Sequence, residues 1–469
     1  MGKTNFKSMI IVASLFVFAT ILLLAPVDNK ATGMNETTFW YAIAVAGLMV
    51  VFWLFEVVPI YVTALFPFIF AIPLGILEST DLSAAYGHKY IYLFFGGFIL
   101  SLALEKWDVH KQIAEAIIRL VGTSKSRIIL GFLLSTGLLS MWISNTATAL
   151  MMLPMALAII SKVPKSGSKK FKIFLLLAVA YGASIGGIAT IVGSPPNVLM
   201  AGLLEAEPYG IKISFMEWMK IGLPLSLIMM TIVFLFFYIF LGKERKERIE
   251  NVKQEKVPWT KNQIRVLILF LGVVLLWIFR EAITSDDTGI AYTDEGVAVF
   301  GAILLFFLPG SEKEQKLLTW SDTKKLPWGI LILFGGGMAL AKMLEVNGVI
   351  QELSGVFASY ATAPLFVLLG ILVIIAIFGT EIMSNMALVN VFIPVVAAFA
   401  LKSHIDPILL CMPVTLAASC AFMLPVGTPP NAIVFSSGEL KISDMAKTGL
   451  VLNLVSVVVI VLYSLLVLG

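Results

Sequence analysis

The sequence predicts an all-α polytopic membrane protein, with about eleven transmembrane helices and two re-entrant hairpins in two inverted-topology repeats. Three observations carry this. Hydrophobic residues fill 59% of the 469 positions and charged residues 13%, with a mean hydropathy of +0.97, whereas a soluble domain is about 25% charged. Runs such as Ile10–Ala25 and Leu223–Leu241 are long enough to cross a bilayer as helices. Short motifs recur once in each half, in the same order. Lipid offers the backbone no hydrogen-bond partner, so helices are the expected spanning element; the alternating pattern of a membrane barrel is absent.

In chain order, spans are predicted near 9–26, 40–57, 60–77 and 90–107. The first is preceded by Lys3 and Lys7, and no small-residue cleavage site follows clearly, so it reads as a helix and not a leader. Residues 107–123 place Val109, Ile113, Ile117, Ile118 and Val121 at helical spacing, with His110, Lys111, Glu115 and Arg119 opposite. That pattern predicts an amphipathic helix on the membrane surface. The stretch Ile128–Ile160 would be about 50 Å long as one helix, against a hydrocarbon core of about 30 Å. Ser144-Asn145-Thr146 at its middle is a helix-breaking, capping-competent triplet, which predicts a hairpin with its tip there. The lysines of the loop 161–172 put both hairpin ends on the cytoplasmic side. A helix over 172–204 is interrupted at Gly193-Ser194-Pro195-Pro196-Asn197, because two prolines withdraw two backbone donors. A span over 217–242 leads to the charged linker Lys243–Lys261, the boundary between halves.

The second half repeats this order. Spans are predicted near 263–281, 294–309 and 327–346, with an acidic loop at Asp286–Glu295 and lysines in the loop 311–325. A short surface helix over 347–359 carries no basic residue. Leu365–Leu401 is again too long for one span and is centred on Ser384-Asn385-Met386; a second break falls at Gly427-Thr428-Pro429-Pro430-Asn431, and a last span covers about 446–468. Phe95-Gly96-Gly97 matches Phe334-Gly335-Gly336, and the matched pairs lie roughly 235–240 residues apart. The basic residues around the first hairpin have almost no counterparts around the second beyond Lys402, so the two hairpins are expected to open to opposite faces. The chain is thus expected to divide into the early spans of each half at 1–127 and 263–362, the hairpin-bearing parts at 128–242 and 363–469, and a cytoplasmic linker at 243–262.

Four non-helical elements, two tips and two proline breaks, are expected to converge. Helix N-termini there offer free N–H groups and a positive dipole end to carboxylates, while hydroxyls and unwound carbonyls are hard ligands suited to Na⁺. A single Ser-Asn pair in a membrane helix is ordinarily interhelical glue, and a lone Pro-Pro a kink. Two copies of both, in matched order, point instead to a midplane site of a secondary transporter. Glu381, an intramembrane carboxylate three residues before the second tip, reads equally as a functional group or as a support for the hairpin. Glu56 reads as a solvated turn residue, the Phe-Gly-Gly pairs as helix-packing surfaces, His88, His110 and His404 as interfacial, and Cys411 and Cys420 as reduced core residues. The chain has no GxxxxGK phosphate loop and no HExxH motif, which disfavours ATP-driven transport and an intramembrane zinc protease. Loop-borne basic residues argue against nucleic acid as a partner. A channel ranks low because the polar residues cluster at one depth.

These residues resemble the divalent anion:sodium symporter family, the INDY-type transporters. The marks are Ser140-Met141-Trp142-Ile143-Ser144-Asn145-Thr146, the GSPPN and GTPPN breaks, and Thr380-Glu381-Ile382-Met383-Ser384-Asn385, and the resemblance covers essentially the whole chain. It implies a homodimer in the plasma (bacterial inner) membrane. The resemblance further implies a scaffold, formed by 1–127 and 263–362, that holds the dimer, and a transport domain, formed by 128–242 and 363–469, that moves like an elevator. The implied cargo is succinate, malate, fumarate, citrate or sulfate, usually driven by Na⁺. By position, the first sodium site is Ser140, Ser144, Asn145 and Gly193, and the second Thr380, Met383, Asn385 and Gly427. The anion's carboxylates are expected to meet Asn145, Thr146 and Ser194 on one side and Asn385, Met386 and Thr428 on the other. Many relatives have Ser-Asn-Thr at the second tip; Met386 cannot donate a hydrogen bond, which leaves the substrate's size and identity open. A Na⁺-independent dicarboxylate exchanger and a sulfate-type transporter are the alternatives on the same fold.

Overall fold

The computed structural model describes residues 3–26, 36–163, 169–249, 257–284, 292–310, 316–350, 352 and 364–469. The surface helix expected over 347–359 lies largely outside these residues, as do parts of the loops 161–172, 286–295 and 311–325 and of the linker 243–261. The described residues are helices and turns, without a regular strand.

Helix α1 (Lys3–Leu24) packs on α2 (Glu36–Leu54). The single span expected over 60–77 is instead two short pieces, α3 (Ile60–Thr63) and α4 (Phe66–Phe70). Pro59, Pro67 and Pro73 punctuate this segment, and each lacks the amide a continuous helix needs. Then follow α5 (Ser79–Tyr86), α6 (Lys89–Lys106) and α7 (Val109–Val121). The last is amphipathic as expected, but its His110 and Gln112 are buried. The His110 ring Nδ1 lies 3.0 Å from the Leu104 carbonyl. Burial holds the His110 imidazole below its ordinary pKa. It is therefore a packed residue, not an interfacial one, because the turn at Asp108 folds α7 back onto its neighbours. His88 is half-buried too, in a cavity of about 210 Å³ where α5 and α15 meet the loop after α11; His404 is exposed, as expected.

The first hairpin is α8 (Lys125–Ser140) and α9 (Asn145–Ile160), and α10 (Lys169–Gly186), α11 (Pro195–Glu205) and α12 (Phe215–Phe240) complete the first half. The second half holds α13 (Lys261–Ile283), α14 (Asp294–Phe307), α15 (Trp328–Val346), the hairpin α16 (Leu365–Thr380) and α17 (Asn385–Lys402), then α18 (Pro407–Ala418), α19 (Pro429–Ser436) and α20 (Ile442–Val467). Among the described residues eight helices are long and apolar enough to cross a membrane. This is fewer than the predicted spans because three of the four hairpin arms, α18 and α14 are individually short, while the fourth arm, α17, is among the eight. A 16-residue arm such as α8, α9 or α16 extends about 24 Å at 1.5 Å per residue. That falls short of the roughly 30 Å core, as a segment that turns back must.

The breaks sit earlier than the prolines alone indicate. Helix α10 ends at Gly186 and α18 at Ala418, while Pro195-Pro196 and Pro429-Pro430 form the first turns of α11 and α19. Proline suits a first turn because the amide it lacks would have no intrahelical partner there.

The halves interlock reciprocally. Helix α6 packs on α14 while α15 packs on α3 and α5; α9 packs on α19 while α11 packs on α17. Each contact recurs with the halves exchanged, the arrangement a two-fold relation produces. At its centre are the paired glycines. A Cβ on Gly96 would lie 2.6 Å from the Ala298 backbone, and one on Gly336 would lie 2.5 Å from Ala64. Small residues at such crossings let helices approach closely in lipid. Cys411 and Cys420 are buried free thiols.

Candidate functional site

Each tip is a capped helix start. The Ser144 hydroxyl accepts from the Ala147 amide at 3.3 Å, and Ser384 accepts from Ala387 at 3.2 Å. These bonds satisfy one orphan donor of α9 and α17 and leave neighbouring first-turn amides facing away from their helices. Before each tip a hydroxyl donates to the tip asparagine: Ser140 to Asn145 Oδ1 at 2.7 Å, and Thr380 to Asn385 Oδ1 at 2.6 Å. The hydroxyl fixes the amide's orientation and leaves its NH₂ group for another partner.

Each break is clamped by the last asparagine of its motif. Asn197 Nδ2 donates to the carbonyls of Gly187 and Thr190, each at 2.9 Å. Asn431 Nδ2 donates to Ala421 and Leu424 at 2.9 and 3.0 Å. These pairings hold unwound backbone that would otherwise be unsatisfied in lipid. The sequence signal for both clamps is their recurrence: Asn197 and Asn431 close the two matched GSPPN and GTPPN motifs.

Tip and break of one half then meet. A Cβ on Gly187 would lie 2.5 Å from Asn145 Oδ1, and one on Gly193 would lie 3.1 Å from the Met141 carbonyl and 2.7 Å from that of Gly187. The Thr190 hydroxyl donates to the Met141 carbonyl at 2.5 Å. Ser140, Asn145 and Gly193 are thus gathered with two backbone carbonyls into one oxygen-rich nest. In the second half Thr380 also donates to the Ala418 carbonyl at 3.0 Å, and Gly427 packs against Ala421 and Glu381. Thr380 and Asn385 share a nest there. Met383 and Ser384 are half-buried at the tip itself.

Glu381 is 3% exposed and accepts three hydrogen bonds, from the amides of Met423 and Leu424 and from Asn453 Nδ2. Of the two readings the sequence left open, the structure selects the support: the carboxylate ties the tip to the break and to α20. Asn453 was not anticipated, because nothing near it in sequence marks it.

Ser194 and Thr428 are the N-caps of α11 and α19, 2% and 3% exposed. Thr146 and Met386 lie in the first turns of α9 and α17, Thr146 half-buried and Met386 buried. Four helix N-termini therefore belong to the four interrupted elements, and they are linked crosswise through α9 on α19 and α17 on α11. No hydrogen bond among the described residues joins Asn145 to Asn385; each amide is tied within its own half. No lysine or arginine lies in either tip or break.

A profile of the sodium:sulfate symporter transmembrane region matches residues 5–467. The chain belongs to the sodium:sulfate symporter family. Its similarity to curated members extends over almost all of its length. It is 38% identical over 475 residues to the sodium-dependent dicarboxylate transporter SdcS of Staphylococcus saprophyticus, an alignment spanning 97% of this chain and 89% of that protein. It is 36% identical over 473 residues to SdcS of Staphylococcus aureus strain USA300, with the same two coverages. The crystal structure of the YdaH transporter of Alcanivorax borkumensis shares the fold, with a TM-score of 0.59 over 82% of this chain and 87% of that one, at 12% identity. The family agrees with the sequence-level resemblance, and it makes this chain a helical membrane transporter and not an enzyme.

Proposed function

We propose that this sodium:sulfate symporter family member is a Na⁺-coupled symporter of four-carbon dicarboxylates in the plasma membrane. One observation carries the reading. Two matched oxygen nests, Ser140–Asn145 and Thr380–Asn385, sit at helix N-termini with no cationic side chain in the motifs around them. A dianion at such depth needs compensating charge. Na⁺ held by Ser140, Ser144, Asn145 and Gly193, and by Thr380, Met383, Asn385 and Gly427, supplies it. Dipole ends and amides at Asn145, Thr146, Ser194, Asn385 and Thr428 then meet the carboxylates, with Met386 limiting one side. The dicarboxylate specificity named for the staphylococcal relatives supports this over sulfate.

Transport is assigned to an elevator motion of the parts 128–242 and 363–469 against a scaffold of 1–127 and 263–362, in a homodimer whose halves are inverted in the membrane. The contact pattern supports the division: α6 with α14 and α15 with α3 and α5 join scaffold to scaffold, and α9 with α19 and α11 with α17 join transport part to transport part. Labelled succinate uptake into proteoliposomes, with and without an inward Na⁺ gradient, tests the coupling. Equal uptake in both rejects it, and uptake that ignores Na⁺ but requires internal dicarboxylate identifies an exchanger instead.

A further inference from the structure

Away from the tips and breaks, a cleft of about 640 Å³ opens where the turn between α7 and α8 meets the end of α12 and the following 3-10 turn Gly242–Lys246. Four cations rim it: Arg127, Arg245, Lys246 and Arg248. Among the described residues, the acids of the same turn, Glu244 and Glu247, both pair with buried Lys125, at 3.1 and 2.7 Å. None of the four rim cations takes part in a salt bridge among the described residues. The rim is built, not merely solvated. Ser126 Oγ donates to the Arg245 carbonyl at 2.8 Å, the Ile249 amide donates to the Thr123 carbonyl at 3.0 Å, and the Arg245 guanidinium lies 4.6 Å over the Tyr238 ring. Below the rim the wall turns apolar, through Leu130, Phe234 and Tyr238. Helix α12 is a membrane-crossing helix ending at Phe240, so the rim stands at the water boundary and the wall below it at acyl depth.

We propose that this cleft binds the phosphate headgroup of an anionic membrane phospholipid, with the acyl chains lying against Leu130 and Phe234. Clustered basic residues between membrane helices on the cytoplasmic side are suited to phosphate-bearing headgroups, and guanidinium forks match phosphate oxygens in pairs. The apolar wall selects a lipid over a soluble oxyanion, which would gain nothing from it. In the second half Val367 stands where Arg127 stands in the first, so the cleft belongs to one membrane face, as an anionic leaflet does.

The test uses the full-length protein in nanodiscs of equimolar phosphatidylcholine and phosphatidylglycerol, re-extracted in detergent, with retained lipid counted by mass spectrometry. The wild type retains phosphatidylglycerol in preference to phosphatidylcholine. The double variant Arg245→Gln/Arg248→Gln loses that preference by about tenfold or more, at near 1 kcal/mol per basic residue. The pair Arg245→Lys/Arg248→Lys, which keeps the charge, retains most of it and shows that the fold survives substitution there. Equal retention by wild type and the glutamine variant overturns the proposal. So does full displacement of the lipid by millimolar inorganic phosphate, which would make the cleft a soluble oxyanion site.

Discussion

Asn453 donates its side-chain amide to the Glu381 carboxylate at 2.8 Å, across 72 residues of sequence. Among the described residues the bond has no counterpart in the first half, where Met141, which has no side-chain oxygen, occupies the place of Glu381 and accepts from Thr190 through its backbone carbonyl. The two halves thus reach the same tip geometry by different means.

Glu381→Gln replaces an acceptor of three donors by a group that must turn an NH₂ toward at least one of them. Leaving a buried partner unsatisfied costs about 1–3 kcal/mol. The variant is expected to unfold at lower temperature in detergent and to need more Na⁺ for half-maximal uptake. An unchanged melting temperature would refute the supporting role.

Asn197→Ala and Asn431→Ala each release two carbonyls of an unwound segment. Because the two clamps share one geometry, the variants are expected to be destabilised alike, each by about 2 kcal/mol. Thermal unfolding of the pair checks this, and a large difference between them contradicts the matched roles.

Ser140→Ala and Thr380→Val remove the hydroxyls that orient Asn145 and Asn385. Half-saturating Na⁺ should rise about tenfold, equivalent to 1.4 kcal/mol, whereas Thr380→Ser should behave as wild type. Sodium titration of initial uptake rates distinguishes these outcomes, and a lowered maximal rate with unchanged Na⁺ dependence would place the hydroxyls outside the ion sites.

Met386→Thr restores a donor at the first turn of α17. A hydrogen bond to a charged group contributes about 1.5–3 kcal/mol, so half-saturating succinate should fall by about tenfold. Competition by succinate, citrate and sulfate reads whether selectivity moves with it; no change for any anion would remove position 386 from the substrate site.

Gly96→Ala and Gly336→Ala each push a methyl into the facing element at Ala298 or Ala64. Overpacking of this kind costs about 1–3 kcal/mol. Both variants should give less monodisperse protein on gel filtration, while Gly47→Ala, whose added Cβ meets nothing within 4 Å, should not.

Much of the site was written in local sequence. The hairpins follow from apolar stretches too long for one crossing, with a capping serine at the centre of each, and Ser144 and Ser384 do cap α9 and α17. The paired prolines flag the breaks, although the unwound residues precede them, after Gly186 and Ala418. Elsewhere local reading misplaced features. Pro59, Pro67 and Pro73 punctuate the segment 60–77, where hydrophobicity alone indicated a span. His110 sat on the polar face of an amphipathic pattern and is buried, because period alone does not tell water from a neighbouring helix.

What the sequence determined by itself is the membrane class, the duplication and the identity of the four interrupted elements, since hydrophobicity, proline and capping act within a few residues. What the tertiary structure decided is which oxygens share a nest, that Asn197 and Asn431 hold the breaks open, and that Glu381 answers to Asn453. Those are pairings between segments distant in the chain. They depend on where the helices cross, and the close crossings at Gly96 and Gly336 are packing facts that no local pattern encodes.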